Sequence, residues 1–448
     1  MGVQDFYLSL LRKIYSIAFF NKKHAVKKHQ EFDVQSAINS VCTASDVLEA
    51  FNIFKDNIDV LRDWRILYAC NDDRGSFKIT RRSFGEKGVV STAMRGRSLI
   101  VLDKEFVNST APTRYQIGYG VYADSNVASF IRRASYGGSK SQDLQQFLSG
   151  IRKVLSLKDL SNLNPYYYLW ECQRSWDSKT HDACRENLAS IIAMHHDDDP
   201  LGSGWSERFL NHHRKHCELA ADKMIEDFLT EALAEETASR LYVIEAMIVR
   251  TKIIDGASKK SSAHKLVELI KFMCEELQVV LIRELVICSD ILFKGNTGLT
   301  KKLNSIETQK DPLAVLQGCV WDVFMLRIMD AMATPKGLPF GEAYIPTLVS
   351  MDGDITSIIE MTELKALALC RKSGKAFPFL DIDLEEWLKE RTGVKRAEEL
   401  RPLFAQESFE ARAKNRSLET VKKIAMRDRN RLLAPRPSFD EGNHSRAK

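Results

Sequence analysis

The sequence predicts an α/β fold: a parallel sheet flanked by helices, with substantial additional helical regions. Three observations carry this. Two short β-prone runs, residues 115–122 and 345–350, each pass into a small acidic cluster and then straight into a helical pattern. β-prone runs alternate with helical stretches along most of the chain. Between residues 180 and 275 the spacing is almost purely helical, and residues 218–249 contain neither Gly nor Pro. In open α/β sheets, sites form at the C-terminal ends of the strands. Two acidic strand ends more than 200 residues apart therefore predict a shared acidic pocket suited to a divalent cation.

The elements follow in order. Residues 6–20 have Leu8, Leu11 and Ile14 on one face of an amphipathic helix. Residues 34–54 carry helical spacing, which residues 56–69 continue up to the turn signal Asn71-Asp72-Asp73-Arg74-Gly75. Short strands are expected at 76–83, 98–102 and 115–122, the last leading into Asp124. Helices follow at 127–135 and 144–157, separated by Tyr136-Gly137-Gly138-Ser139. Asn164-Pro165 opens the aromatic run Tyr166-Tyr167-Tyr168-Leu169-Trp170, which reads as a strand or turn ending on Glu171. Residues 277–292 read as buried, 294–311 as a loop broken by Gly295 and Gly298, and 312–332 as a helix that ends before Thr334-Pro335-Lys336-Gly337. A strand at 345–350 delivers Asp352 and Asp354, and 355–370 reads as helical. The expected division is a mostly helical region at 1–95, an α/β domain at 96–370 with a helical insertion at about 180–275, and a helical C-terminal region with a basic tail at 371–448.

The chain has 448 residues, 44% of them hydrophobic, enough for two or three domains with sizeable cores. Its net charge of +5 is uneven: from Ala411 onward eleven Lys or Arg face four Asp or Glu, so the rest is close to neutral. A basic tail of this kind suits nucleic acid or an acidic partner, and the helical regions suit a protein partner or self-association. The nine cysteines, Cys42, Cys70, Cys172, Cys184, Cys217, Cys274, Cys288, Cys319 and Cys370, form no CxxC pair and read as buried thiols of a reducing compartment. No uninterrupted apolar run reaches the roughly 18 residues of a bilayer span, and a cytoplasmic location is expected.

Metal-dependent phosphodiester hydrolysis needs several carboxylates around one point. Asp124, Asp352 and Asp354 qualify as strand-end acids. Asp322 sits in the apolar helical run Val320-Trp321-Asp322-Val323-Phe324, where a charge is costly without a cation or partner. Glu171 and Glu284 are the two further candidates. Each acid also has a purely structural reading: Asp124 and Asp352 as helix N-caps, Asp322 as the partner of an arginine such as Arg327. A second cluster, His195, His196, Asp197, Asp198 and Asp199 followed by His212, His213 and His216, places His212 and His216 four apart. It lacks an HExxH pattern and reads mainly as a polar loop.

The order strand–Asp124-Ser125-Asn126, then Glu171, then a helix with Asp322, then strand–Ser350-Met351-Asp352 resembles the PIN-domain nucleases. The resemblance spans about residues 98–370, with Ser350 where that family usually has Thr. It implies a PIN-like α/β sheet, Mg²⁺ or Mn²⁺ held by Asp124, Glu171, Asp322, Asp352 and Asp354, and hydrolysis of RNA. In that reading Asn126 positions a ligand or phosphate and Arg132 and Arg133 steer the backbone. The alternative is a non-catalytic helical regulatory or interaction protein whose basic tail contacts nucleic acid.

Overall fold

A computed structural model describes residues 28–434 other than 80, 111–114, 116, 139–140, 174–177, 229–230, 334–342 and 375. The helix expected at 6–20, the break after residue 333 and the last part of the basic tail lie outside the described residues.

The chain is a mixed α/β protein with two open sheets. The strands are β1 (Trp64–Cys70), β2 (Phe77–Lys78), β3 (Arg82–Phe84), β4 (Gly88–Ser91), β5 (Ser98–Leu102), β6 (Ile117–Ala123), β7 (Ala343–Ser350), β8 (Leu364–Cys370) and β9 (Ala376–Leu380). One sheet has the order β2-β5-β1-β8-β9 with every pair antiparallel. The other has the order β3-β4-β7-β6, in which β6 and β7 are parallel and the remaining pairs antiparallel. The expected parallel sheet thus reduces, among the described strands, to the β6–β7 pair. That pair is the one whose ends carry the acidic clusters.

Several expectations are corrected by long-range pairing. Residues 64–69 continue no helix: they lie in the central strand β1, hydrogen-bonded to β5 on one side and β8 on the other. Six of its seven residues are buried, so the alternation that marks a half-exposed strand is missing. Likewise residues 355–370 are helical only to Met361. Thr362 closes the helix, its N–H bonding the Ile358 and Ile359 carbonyls. The Leu and Ala residues of β8 are then drawn into a strand by neighbours on both sides. Residues 294–311, expected as loop, contain a helix at Gly298–Asn304 and a 3₁₀ turn at Ile306–Thr308. β9 has no counterpart among the expected elements.

Helices α1 (Lys28–Thr43) and α2 (Val47–Asp56) cover the first sheet. Ile38, Val41, Ala50 and Phe54 form one core with Ile66, Tyr68, Leu102, Ala366 and Ala368. Region 1–95 is therefore no separate domain in its described part. The chain instead forms two compact units. One comprises the described residues up to Arg240 with Asn296–Leu299 and Trp321–Leu388; the other is Leu241–Gly295, Thr300–Val320 and the described residues from Lys389 onward. Both sheets belong to the first unit, and the described secondary structure of the second is helical. The expected insertion at 180–275 is split between the two.

In the first unit, α3 (Ser125–Ser135) leaves β6 directly, burying Val127, Ala128 and Ile131. Further along the chain lie α4 (Tyr166–Cys172) and α5 (Ser178–Met194). α6 (Pro312–Met332) matches its expected bounds and ends in this unit, while α7 (Gly353–Met361) leaves β7 as α3 leaves β6.

Candidate metal centre

The site is built on the parallel pair. Ala123 of β6 stands opposite Val349 of β7, so both strands end level with each other and both pass into helices. Asp124 is the N-cap of α3: its Oδ1 accepts the Val127 N–H at 2.7 Å. Asp352 is the N-cap of α7, accepting the Asp354 N–H at 2.8 Å. Both capping readings hold, and they do not compete with assembly of a site. Ser350 joins the two strand ends, donating its hydroxyl to Asp124 Oδ2 at 2.5 Å and accepting the Asp352 N–H at 2.8 Å. The Met351 N–H adds a longer bond to the same Asp124 oxygen, 3.3 Å.

The aromatic run supplies the next acid, though as helix α4 and not as a strand. Asn164 Oδ1 accepts the Tyr166 N–H at 2.9 Å, and Pro165 starts the helix. The tyrosines and tryptophan are buried because they anchor the helix: Tyr167 packs at 5.3 Å on Tyr122 of β6 and donates to the Met325 carbonyl, while Trp170 meets Phe324 at 6.0 Å. Phe324 and Met325 lie within one turn of Asp322 on α6. The same packing thus brings both Glu171 and Asp322 to the strand ends. Glu171 Oε2 accepts the Ser125 N–H at 2.7 Å, one of the donors that the start of α3 leaves open.

Asp322, Asp352 and Asp354 each offer a carboxylate oxygen, and these oxygens lie within 4.8 Å of one another. All three residues are half-buried. Asp124 and Glu171 are coupled to them electrically. Burial first and then the Asp352 carboxylate push the Asp124 carboxyl up to about 6, against the Ser350 and Val127 hydrogen bonds that favour the charge. Glu171 is raised to about 8, first by desolvation and then by the charge of Asp124, with Asp322 adding to it. No lysine or arginine among the described residues forms an ion pair with Asp124, Glu171 or Asp352. Five carboxylates from four parts of the chain converge, and the trio is an all-oxygen donor set of the kind that hard cations such as Mg²⁺ or Mn²⁺ take.

Two glycines make room here. A Cβ on Gly120 would meet the Tyr344 hydroxyl at 1.8 Å, the group that bonds Tyr122 at 2.6 Å beneath the strand ends. A Cβ on Gly298 would meet Asp354 Oδ1 at 1.7 Å. Sequence reasoning misses Gly298, which it places in a loop, and the Ser125 amide, whose only signal is its position after a strand-end Asp.

The remaining candidates fall elsewhere. Asn126 is exposed on the first turn of α3, beside Asp124. Arg132 and Arg133 lie in the last turn of α3, about 12 Å along the helix from Asp124. Arg132 pairs with Glu186 at 2.8 Å, and Arg133 donates to Ser141 and lies over the Phe130 ring. Glu284, the alternative to Glu171, is on a helix of the second unit. The histidine stretch gathers no metal-ligand trio among the described residues. His212 and His213 fall in a π-helical turn, and the His216 ring lies 5.7 Å from those of His213 and His196. His195 bonds the Leu163 carbonyl, and Asp197 is held by Arg208 at 2.9 Å and His213 at 3.3 Å. Part of the tail's basic excess is also used internally: Arg429 pairs with Glu245 and Arg427 with Asp428.

No protein-family model, no curated protein and no solved structure matches this chain.

Proposed function

We propose that this chain is a metal-dependent nuclease of PIN-like type that hydrolyses phosphodiester bonds in RNA, with Mg²⁺ or Mn²⁺ as cofactor. The single observation that carries the reading is the convergence of five carboxylates at the ends of a parallel strand pair, three of them with oxygens within 4.8 Å. Asp322, Asp352 and Asp354 would hold the cation, and Asp124 and Glu171 extend the donor set. When bound, such a cation neutralises charge on the scissile phosphate and activates water. The chain's own residues do the positioning. Ser350 ties Asp124 to the Asp352 loop, so that the two strand ends move together. The Ser125 N–H holds Glu171 Oε2, and this raised carboxyl, once ionised beside a bound cation, can take a proton from an attacking water. The order of acids along the chain, Asp124, Glu171, Asp322 and Asp352, supports the PIN-like assignment. The mixed sheet around the parallel pair is this chain's own departure from it.

The test incubates the full-length protein with single-stranded RNA and Mn²⁺ or Mg²⁺, beside Asp124→Asn and Asp352→Asn variants and an EDTA control. Cleavage by the parent that EDTA abolishes, and that falls at least a hundredfold (about 3 kcal/mol) in either variant, is the expected result. Equal cleavage by parent and both variants overturns the assignment.

A further inference from the structure

The helix that carries Glu171 ends on Cys172, and the sulfur of Cys172 lies 3.3 Å from that of Cys184 on α5. The two thiols are 6% and 0% exposed. Tyr168 OH accepts from Asn187 at 2.6 Å, which ties α4 to α5 one turn from each cysteine. A disulfide requires the sulfurs to close to ~2.05 Å, a movement of about 1.3 Å from this geometry. Both residues belong to the first unit. Cys172 is one residue from Glu171, whose carboxylate holds the Ser125 amide.

We propose that Cys172 and Cys184 form a redox-sensitive pair, and that their oxidation to a disulfide draws the end of α4 toward α5 and pulls Glu171 off Ser125. The proposal rests on the nuclease reading for its consequence and on the sulfur geometry for its chemistry. The oxidant is a small hydroperoxide, which reaches a nearly enclosed thiol where bulkier disulfide reagents do not. The Cys172 sulfur attacks the peroxide O–O bond, releasing one water and leaving a sulfenic acid. The Cys184 sulfur then attacks Cys172, the S–S bond forms and a second water leaves. Two thiols are oxidised, one hydrogen peroxide is reduced to two waters, and both thiol protons leave in those waters. A thiol reductant reverses the step.

The experiment treats the full-length protein with hydrogen peroxide and reads three things. Intact mass should fall by about 2 Da, with one peptide linking Cys172 to Cys184. Hydrogen exchange at the Ser125 amide should accelerate, because Glu171 no longer accepts it. Mn²⁺-dependent RNA cleavage should fall by roughly tenfold to a hundredfold, the cost of an ångström-scale misplacement, and dithiothreitol should restore it. Cys184→Ser leaves Cys172 at the sulfenic acid with no thiol to resolve it, so after peroxide it should give no cross-link and leave Ser125 exchange unchanged. Absence of the cross-link in the parent overturns the proposal, and so does a cross-link that leaves Ser125 exchange unchanged. Should neither redox form cleave RNA while cross-link and exchange respond as described, the nuclease reading fails and the coupling of the thiol pair to Glu171 stands.

Discussion

Asp124 in the first unit and Asp428 in the second are each 1% exposed, yet their surroundings differ in kind. Asp428 accepts from the guanidinium groups of Arg250 at 2.7 Å and Arg427 at 2.8 Å. Its neighbours follow the same pattern: Glu245 pairs with Arg429, and Asp255 is ringed by Lys252, Lys265 and Lys294. Burial pushes Asp255 up, but the hydrogen bonds and charges of those lysines outweigh it and hold its carboxyl below the usual range. Asp124 is instead held by a hydroxyl and two backbone N–H groups, faces other carboxylates, and is pushed up. A buried acid with a cationic partner has its charge compensated, and removing either partner is costly; acids gathered on one another keep an electrostatic strain that a divalent cation relieves. The first unit has such pairs too, Arg65 with Asp103 and Arg208 with Asp197, but only at the ends of β6 and β7 does it gather acids on one another.

That contrast can be broken by removing acids on each side. Asp428→Ala leaves Arg250 and Arg427 without their buried partner and should cost roughly 3 kcal/mol in a denaturant titration. A loss under about 1 kcal/mol would mean that the second unit does not depend on such pairs. Next in size is Gly120→Ala, whose methyl displaces the Tyr344 hydroxyl from Tyr122 beneath the site. We expect about 1–3 kcal/mol of destabilisation, with Gly85→Ala, which has open space around it but a positive φ of 58°, as a backbone-strain control.

The sign should reverse in the first unit. Glu171→Gln keeps an acceptor for the Ser125 amide and removes the charge, so the metal-free variant should melt above the parent at pH 8. A lower melting temperature would show that this carboxylate already has its compensation within the fold. The same logic gives a pH dependence. The folded chain holds protons on Asp124 up to about pH 6 and on Glu171 up to about pH 8, whereas the unfolded chain releases them near pH 4. This contribution to stability is fully present below pH 4 and lost as pH rises through 6 and 8. Metal-free protein should therefore lose melting temperature between pH 5 and 8, and the gain on adding Mn²⁺ should grow over the same range. A flat difference would break the link between these acids and the cation. Smallest is Gly298→Ala, which crowds Asp354 and should weaken Mn²⁺ binding by about tenfold (about 1.4 kcal/mol) in calorimetry.

Much of the site is legible without the fold. Asp124, Asp352 and Asp354 stand at strand ends as expected, and α6 has its expected bounds. What misleads is local pattern in segments whose state is set by distant partners. Residues 64–69 and 364–370 pair with each other in the centre of a sheet, and neither shows the alternation of an exposed strand. The aromatic run before Glu171 has strand-like residues but packs its rings against β6 and α6, which a helix does as well.

The sequence by itself determined the caps. An aspartate before a helix reaches N–H groups two or three residues on, so Asp124 and Asp352 are held by contacts that depend on almost nothing distant. Tertiary structure alone decided that these caps form one centre. Ser350 meets Asp124 across 226 residues, and Trp170 meets Phe324 across some 150, through hydrogen bonds and ring contacts that exist only once β6 and β7 lie parallel. Local geometry places Asp352 and Asp354 side by side at one strand end; only packing adds Asp124, Glu171 and Asp322, because they come from three other parts of the chain.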